Sequence, residues 1–169
     1  MKKLDIYIDG SHLEKQKKLN GRLGCGGVII DPDGGGTMGK LVNKFSIQLL
    51  PEFMKMSFGA TECSNPSAEL TALLMALKNF KGDIKDFGPD TMIVIHADYI
   101  GVREWMTGAW RIKEPYIARI KGDIDQEIRK QGLVNRVKYE WIKGHQIDNT
   151  KPEVYWNNYV DKLAKGEEN

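Results

Sequence analysis

The chain begins with an alternation. Leu4, Ile6 and Ile8 are apolar, Asp5, Tyr7 and Asp9 carry polar groups, and Gly10 and Ser11 follow. Side chains of a strand point alternately to its two faces, so the pattern predicts a half-buried strand over 4–9 that runs out into a carboxylate. GCGGVIID at 24–31 reads as a second strand, its glycines suited to close backbone approach and Val28, Ile29 and Ile30 supplying β propensity. DPDGGGTMGK at 31–40 is dense in turn residues and leads into a third strand, LVNKFSIQLL.

The rhythm then changes to that of a helix. In SNPSAELTALLMALKNF (64–80), Leu70, Leu73, Leu74 and Leu77 share one face. Ser64 or Asn65 can cap it, Pro66 suits the start, and Glu69 is expected in the first turn, where the helix dipole favours an acid. Residues 81–90 read as a loop, and TMIVIHAD (91–98) as a short buried strand that again ends in a carboxylate, Asp98. A short helix is expected over 99–106, stopped by Gly108, and a longer one over 115–130. RVKYEWIK (136–143) is a further strand, KGHQIDNTKPE a long polar loop, and VYWNNYVDKLAKG (154–166) a last amphipathic helix. The order β-β-β-α-β-α-α-β-α implies an α/β fold: a five-stranded mixed sheet, three antiparallel strands first, flanked by helices. Without repeats or a linker, residues 1–169 are expected to form one domain.

Composition narrows the setting more than the chemistry. Hydrophobic residues make up 41% and charged residues 28%, ordinary for a globular protein. No apolar run approaches the roughly 18 residues that span a bilayer, and Asp5 and Asp9 interrupt the stretch a secretory signal would need, so a cytoplasmic monomer without membrane contact is expected. Cys25 and Cys63 form no CxxC motif, and the three histidines have no zinc spacing. The net charge of +2 announces no partner. Its distribution is more telling: Lys15, Lys17, Lys18 and Arg22 face a single acid, Glu14, between Ser11 and Gly24.

Two strands ending in aspartate matter because functional groups gather at the carboxyl ends of strands in α/β sheets. Each acid taken singly has an ordinary reading: a turn aspartate, a helix-start glutamate, and, at Asp161 in the last helix, a surface residue. Taken together, neighbouring central strands would bring Asp9 and Asp98 side by side and a packed helix would deliver Glu69. Crowded carboxylates repel and are stable when they hold divalent cations. Two such ions roughly 3.5–4 Å apart are a device for in-line attack on a phosphodiester.

With YIDGS in the first strand, GCGGV in the second, SNPSAEL at the helix start, HADYIGV after the fourth strand, and WIKGH followed by NNYVDKLA, the chain resembles the type 1 ribonucleases H. The motifs stand in family order over nearly the whole chain, in the compact bacterial form. The resemblance implies hydrolysis of the RNA strand of RNA–DNA hybrids, largely independent of sequence, leaving 5′-phosphates. It implies two Mg²⁺ ions, with Mn²⁺ as a substitute, held by Asp9, Glu69, Asp98 and Asp161, with Asp9 bridging. His145 matches the mobile-loop histidine of proton movement or product release, and Asn65 the asparagine that contacts the hybrid's minor groove. Gly10 and Ser11 would present backbone to the substrate, at the start of a substrate-facing loop. Lys15, Lys17 and Lys18 then have a polyanion beside them.

Departures from the pattern are specific. GAWRIKEPY (108–116) is too short for the basic handle of some members, which leaves Trp105 and Trp110 as candidates to stack on the DNA strand. Asp148 and Glu153, in the loop after His145, are either further metal-side acids or solvated charges. Two other readings compete: a DNA-cutting nuclease of the same superfamily, and a hybrid-binding module without catalysis. The presence of all four acids speaks against the second.

Overall fold

The computed structural model describes residues 2–12 and 22–167. Five strands, β1 (Lys3–His12), β2 (Leu23–Asp31), β3 (Lys40–Leu49), β4 (Met92–Ala97) and β5 (Val137–Trp141), form one sheet in the order β3-β2-β1-β4-β5. β3, β2 and β1 pair antiparallel, whereas β4 and β5 continue parallel to β1, as the meander followed by crossovers predicts. The helices are α1 (Pro51–Phe58), α2 (Asn65–Asn79), α3 (Lys81–Phe87), α4 (Ile100–Met106), α5 (Pro115–Lys130) and α6 (Pro152–Lys165). Among the described residues, no helix is long and apolar enough to cross a membrane.

Two of these helices depart from the sequence expectation. The stretch after β3 had no predicted element, yet Pro51 opens α1, Gly59 closes it in the left-handed region at φ 70°, and Met54 and Phe58 bury one short face. Residues 81–87 are helix rather than loop, because Phe80 ends α2 and starts α3 at once and Ile84 docks into the core. The glycine, aspartates and lysines of that segment face outward, which is why its composition resembles a loop.

β1 also differs from its expected form. It continues through Gly10 and Ser11 to His12, paired with Cys25, Gly24 and Leu23 of β2, so Gly10 and Ser11 are strand residues, not the start of a loop. Nor is it half-buried. Leu4, Ile6 and Ile8 enter the larger core under α2 and α5, while Tyr7 joins a second core with Val28, Ile30, Trp156, Val160 and Leu163 under α6. Asp5 and Asp9, on that second face, are buried as well. Central position in a sheet covered on both faces overrides the alternation.

Glycines set how closely the layers approach. A Cβ on Gly10 would lie 2.2 Å from the carbonyl carbon and oxygen of Ala68, so only glycine lets β1 run against the backbone of α2. On the opposite face, a Cβ on Gly26 would lie 2.7 Å from the Ala164 nitrogen of α6. The notch at Gly10 predicts a large asymmetry between two Gly→Ala changes. Gly10→Ala should lose about 3 kcal/mol or more by overpacking. Gly122→Ala, in open space on α5, should gain up to about 1 kcal/mol of helix propensity. Urea unfolding of both variants measures the difference, and equal stabilities would contradict the close approach.

Candidate active site

The acids converge where β1 outruns β4. Parallel pairing of the two strands ends at Tyr7 and His96, which sets Asp9 and Asp98 level just beyond it. α2 supplies Glu69 from the other side of Gly10. One oxygen from each of Asp9, Glu69 and Asp98 lies within 4.8 Å of the other two. Asp9 and Glu69 are buried and Asp98 is half-buried.

Local structure explains how Glu69 arrives there. Ser64 caps α2 in a reciprocal capping box with Ser67, so Asn65 is the first helical residue and not the cap. Glu69 is therefore the fifth residue of α2, beyond the first turn where it was expected, and the helix start carries no acid. Its oxygen Oε1 instead accepts the Gly10 N–H at 3.0 Å, and Asp9 Oδ1 accepts the same N–H at 3.0 Å. One amide thus gathers two carboxylates, and the Gly10 N–H is directed at acids rather than toward a substrate. Oε2 of Glu69 is buried without a hydrogen-bond donor among the described residues.

Such a cluster resists ionisation. Burial raises Asp9 well above the usual carboxylate range, reinforced by the negative charge of Glu69 and Asp98 and by contact with Asp161. Burial likewise pushes Glu69 up to about 7, although the Asp9 contact and the Gly10 N–H pull the other way. Asp98 is raised by burial and by Asp161, and pulled down by Asn157 and by the charge of His145. Three hard oxygen donors at this separation, on residues that include a Glu69 oxygen buried without a hydrogen-bond partner among the described residues, fit a divalent cation such as Mg²⁺.

Asp161 stands at the edge of this group. It lies on α6, its side chain is 35% exposed, and Lys165 one turn on pairs with it at 3.1 Å. Its charge nevertheless acts on Glu69 and Asp98. His145 is exposed, with φ 57° in the left-handed region. The backbone beside it passes close to Asp98: a Cβ on Gly144 would lie 3.1 Å from Asp98 Oδ2. Asn158 ties this loop down by donating to the Gln146 carbonyl and to Asn149 Oδ1.

The remaining candidates are dispersed. Asn65 is exposed, and its Oδ1 accepts the His12 N–H at 2.7 Å, which leaves its NH₂ group without a partner among the described residues. Ser11 is half-buried beside it on β1. Trp110 is 42% exposed and meets Trp105 edge-on, and Trp105 in turn meets Tyr99, so an aromatic row leads outward from Asp98. Lys15, Lys17 and Lys18 lie outside the described residues. Asp148 bonds to Thr150, and Glu153 opens α6; neither joins the carboxylate group.

Two residues that the sequence reasoning passed over hold Asp98 in place. Asn157 is 3% exposed, donates to Asp98 Oδ2 at 3.5 Å, and leaves its own Oδ1 buried and unpartnered. Its signal was present in NNYVD: four residues before Asp161 is one helical turn on the same face. Trp141 donates its indole N–H to the Asp98 carbonyl at 2.9 Å, a contact with no local signature.

The raised acids make the stability of the metal-free protein depend on pH in one direction. Between the ordinary glutamate value of 4.5 and about 7 for folded Glu69, the native state holds more protons than the unfolded chain. Stability should therefore fall as pH rises through that window, with Asp9 and Asp98 acting in the same sense. Melting curves in chelator from about pH 5 to about pH 8 should show this decline. Glu69→Gln should flatten it, and millimolar Mg²⁺ should reverse it at the high-pH end. Stability that rises across the window would refute the assignment.

The sequence model of the RNase H family matches residues 1–168. A ribonuclease H of Anaplasma marginale (strain St. Maries) is 25% identical over 114 residues, covering 67% of this chain and 70% of that protein. Among solved structures, RNase H1 of Halobacterium salinarum NRC-1 superposes with a TM-score of 0.67 at 20% identity, over 98% of this chain and 96% of its own. LC11-RNase H1 in complex with an RNA/DNA hybrid superposes with a TM-score of 0.69 at 20% identity, over 96% and 94%.

Proposed function

The chain belongs to the RNase H family, and from that membership we propose that it is an endoribonuclease cutting the RNA strand of RNA–DNA hybrids with two divalent cations, Mg²⁺ or in its place Mn²⁺. The observation that carries this reading is the convergence of one oxygen each from Asp9, Glu69 and Asp98 within 4.8 Å of one another. Asp9, Glu69 and Asp98 would hold the metal, with Asp161 completing the set from α6. Two bound cations would supply activation of the attacking water and charge stabilisation for the leaving 3′ oxygen, the chemistry that yields a 5′-phosphate product.

The chain's own residues do the rest. The Gly10 N–H keeps Asp9 and Glu69 aligned in advance of binding, and Asn157 and Trp141 fix Asp98. His145, beside Asp98, exchanges a proton through its imidazole as product leaves. Asn65, whose NH₂ group has no partner among the described residues, would donate to the hybrid's minor groove, where 2′-hydroxyls distinguish RNA from DNA. Ser11 adds a contact from β1, Trp110 stacks on the DNA strand, and Lys15, Lys17 and Lys18 neutralise phosphates. Such contacts read backbone and shape, so cutting is largely independent of sequence. The structure solved with an RNA/DNA hybrid in a relative of the same fold supports this choice of substrate. The setting this reading expects is a single-domain monomer in the cytoplasm.

Side-by-side assays on end-labelled hybrid, duplex DNA and duplex RNA with Mg²⁺ test the proposal. Only the hybrid should be cut, in its RNA strand. Asp9→Asn and Asp98→Asn should each lower the rate by about three orders of magnitude or more, with hybrid binding retained. Cleavage of DNA alone, or full activity in Asp98→Asn, would overturn it.

A further inference from the structure

On the α6 side of the sheet, two residues along β1 from Asp9, lies a cavity of about 570 Å³, within the range of small-molecule sites. Its base is a stacked pair: the rings of Tyr7 and His96 sit 4.3 Å apart and 11° from parallel. His96 is held between two carboxylates, Nε2 at 2.8 Å from Asp5 and Nδ1 at 3.7 Å from Glu140, and Asp5 also faces Lys3 at 3.6 Å. Tyr7 is 4% exposed and lines the cavity, and its hydroxyl has no hydrogen-bond partner among the described residues. The ring is buried, and the hydroxyl opens onto the cavity, where a ligand's donor would reach it.

The walls state what would fit. Trp156, its indole N–H fixed on the Met38 carbonyl at 2.8 Å, and Trp141 provide aromatic surface. The carboxylates of the lining are Asp5, Glu140 and Glu153, against the lysines Lys3 and Lys143; Asp5 pairs with Lys3 and His96 and Glu140 lies beside His96, which leaves Glu153 as the acid without an ion pair among the described residues. Burial raises the Tyr7 phenol, and the carboxylates of Asp5, Glu153 and Glu140 raise it further, as a negative potential at the hydroxyl requires. Anions are disfavoured there.

We propose that this cavity is a binding site for a small organic cation, an ammonium or guanidinium head on a short flexible body. The Tyr7 hydroxyl accepts from the head group, Glu153 balances its charge, and the indoles of Trp141 and Trp156 offer cation–π surface. The site adjoins the carboxylate centre without overlapping it. Trp141 is the shared wall, since its N–H holds the Asp98 carbonyl, so occupancy of the cavity is felt at Asp98.

The test is a titration of the full-length, ¹⁵N-labelled chain with agmatine, followed at the indole N–H resonances of Trp141 and Trp156. KCl at matched ionic strength is the control. Saturable shifts of both indoles are expected. They should weaken by about tenfold, the loss of one charge-assisted contact, in Tyr7→Phe, which keeps the stacked ring, and in Glu153→Gln, at an exposed position. Asp9→Asn should leave the affinity unchanged. Absence of a saturable shift, the same shift with KCl, unchanged affinity in both cavity variants, or loss of binding in Asp9→Asn would each overturn the proposal, the last by assigning the cation to the carboxylate cluster.

Discussion

Everything at the centre of this molecule depends on one close approach, the passage of β1 against the backbone of α2 at Gly10. Any side chain there would collide with Ala68, push the helix away from the sheet and carry Glu69 with it. Because the position is bare, a single amide N–H reaches both Asp9 and Glu69 at 3.0 Å. The carboxylate cluster is thus a product of layer spacing before it is a product of electrostatics. Packing of this kind is stiff, since interiors are as dense as organic crystals, and it gives the acids a geometry that their own repulsion would otherwise disperse.

That repulsion is the cost the fold carries. Burial raises Asp9, Glu69 and Asp98 alike, neighbouring negative charge adds to it (Glu69 and Asp98 at Asp9, Asp98 and Asp161 at Glu69, Asp161 at Asp98), and one Glu69 oxygen is buried without a hydrogen-bond partner among the described residues. Natural proteins keep such groups where function requires them and offset the loss elsewhere. Here the offset is a large apolar core on the α2 side, with Leu70, Leu73, Leu74 and Leu77 fully or almost fully buried. A cation would convert the same arrangement from a liability into a source of stability, because binding to the native state alone stabilises it.

The opposite face is organised by α6 alone. Gly26 lets this helix seat closely, which brings Asp161 and Asn157 toward the acids and Trp156 over the turn between β2 and β3. Where α6 begins, the cover is incomplete, and the stacked Tyr7 and His96 rings are left facing the cavity bounded by Trp141 and Trp156. Trp141 belongs to both regions. The carboxylate centre and the cavity are therefore neighbours on one scaffold rather than parts of one site.

The local pattern was enough to find the strands and four of the six helices among the described residues, because period-2 and period-3.6 alternation and turn chemistry are properties of neighbouring residues. It was misleading where position in the whole overrides such patterns. β1 reads as half-buried, yet it is covered on both faces, and 81–87 reads as loop because only Ile84 need be apolar to dock a short helix. The meeting of the strand-end aspartates with Glu69 was legible in outline, but the Gly10 amide that joins Asp9 to Glu69 was not. Nor were the grip of Asn157 and Trp141 on Asp98, the pairing of Asp161 with Lys165, or the open hydroxyl of Tyr7. By itself the sequence determined which groups were available and on which elements they stood. Tertiary structure decided which of them touch, because contact between residues 59 positions apart, as at Gly10 and Glu69, depends on how closely two layers can approach.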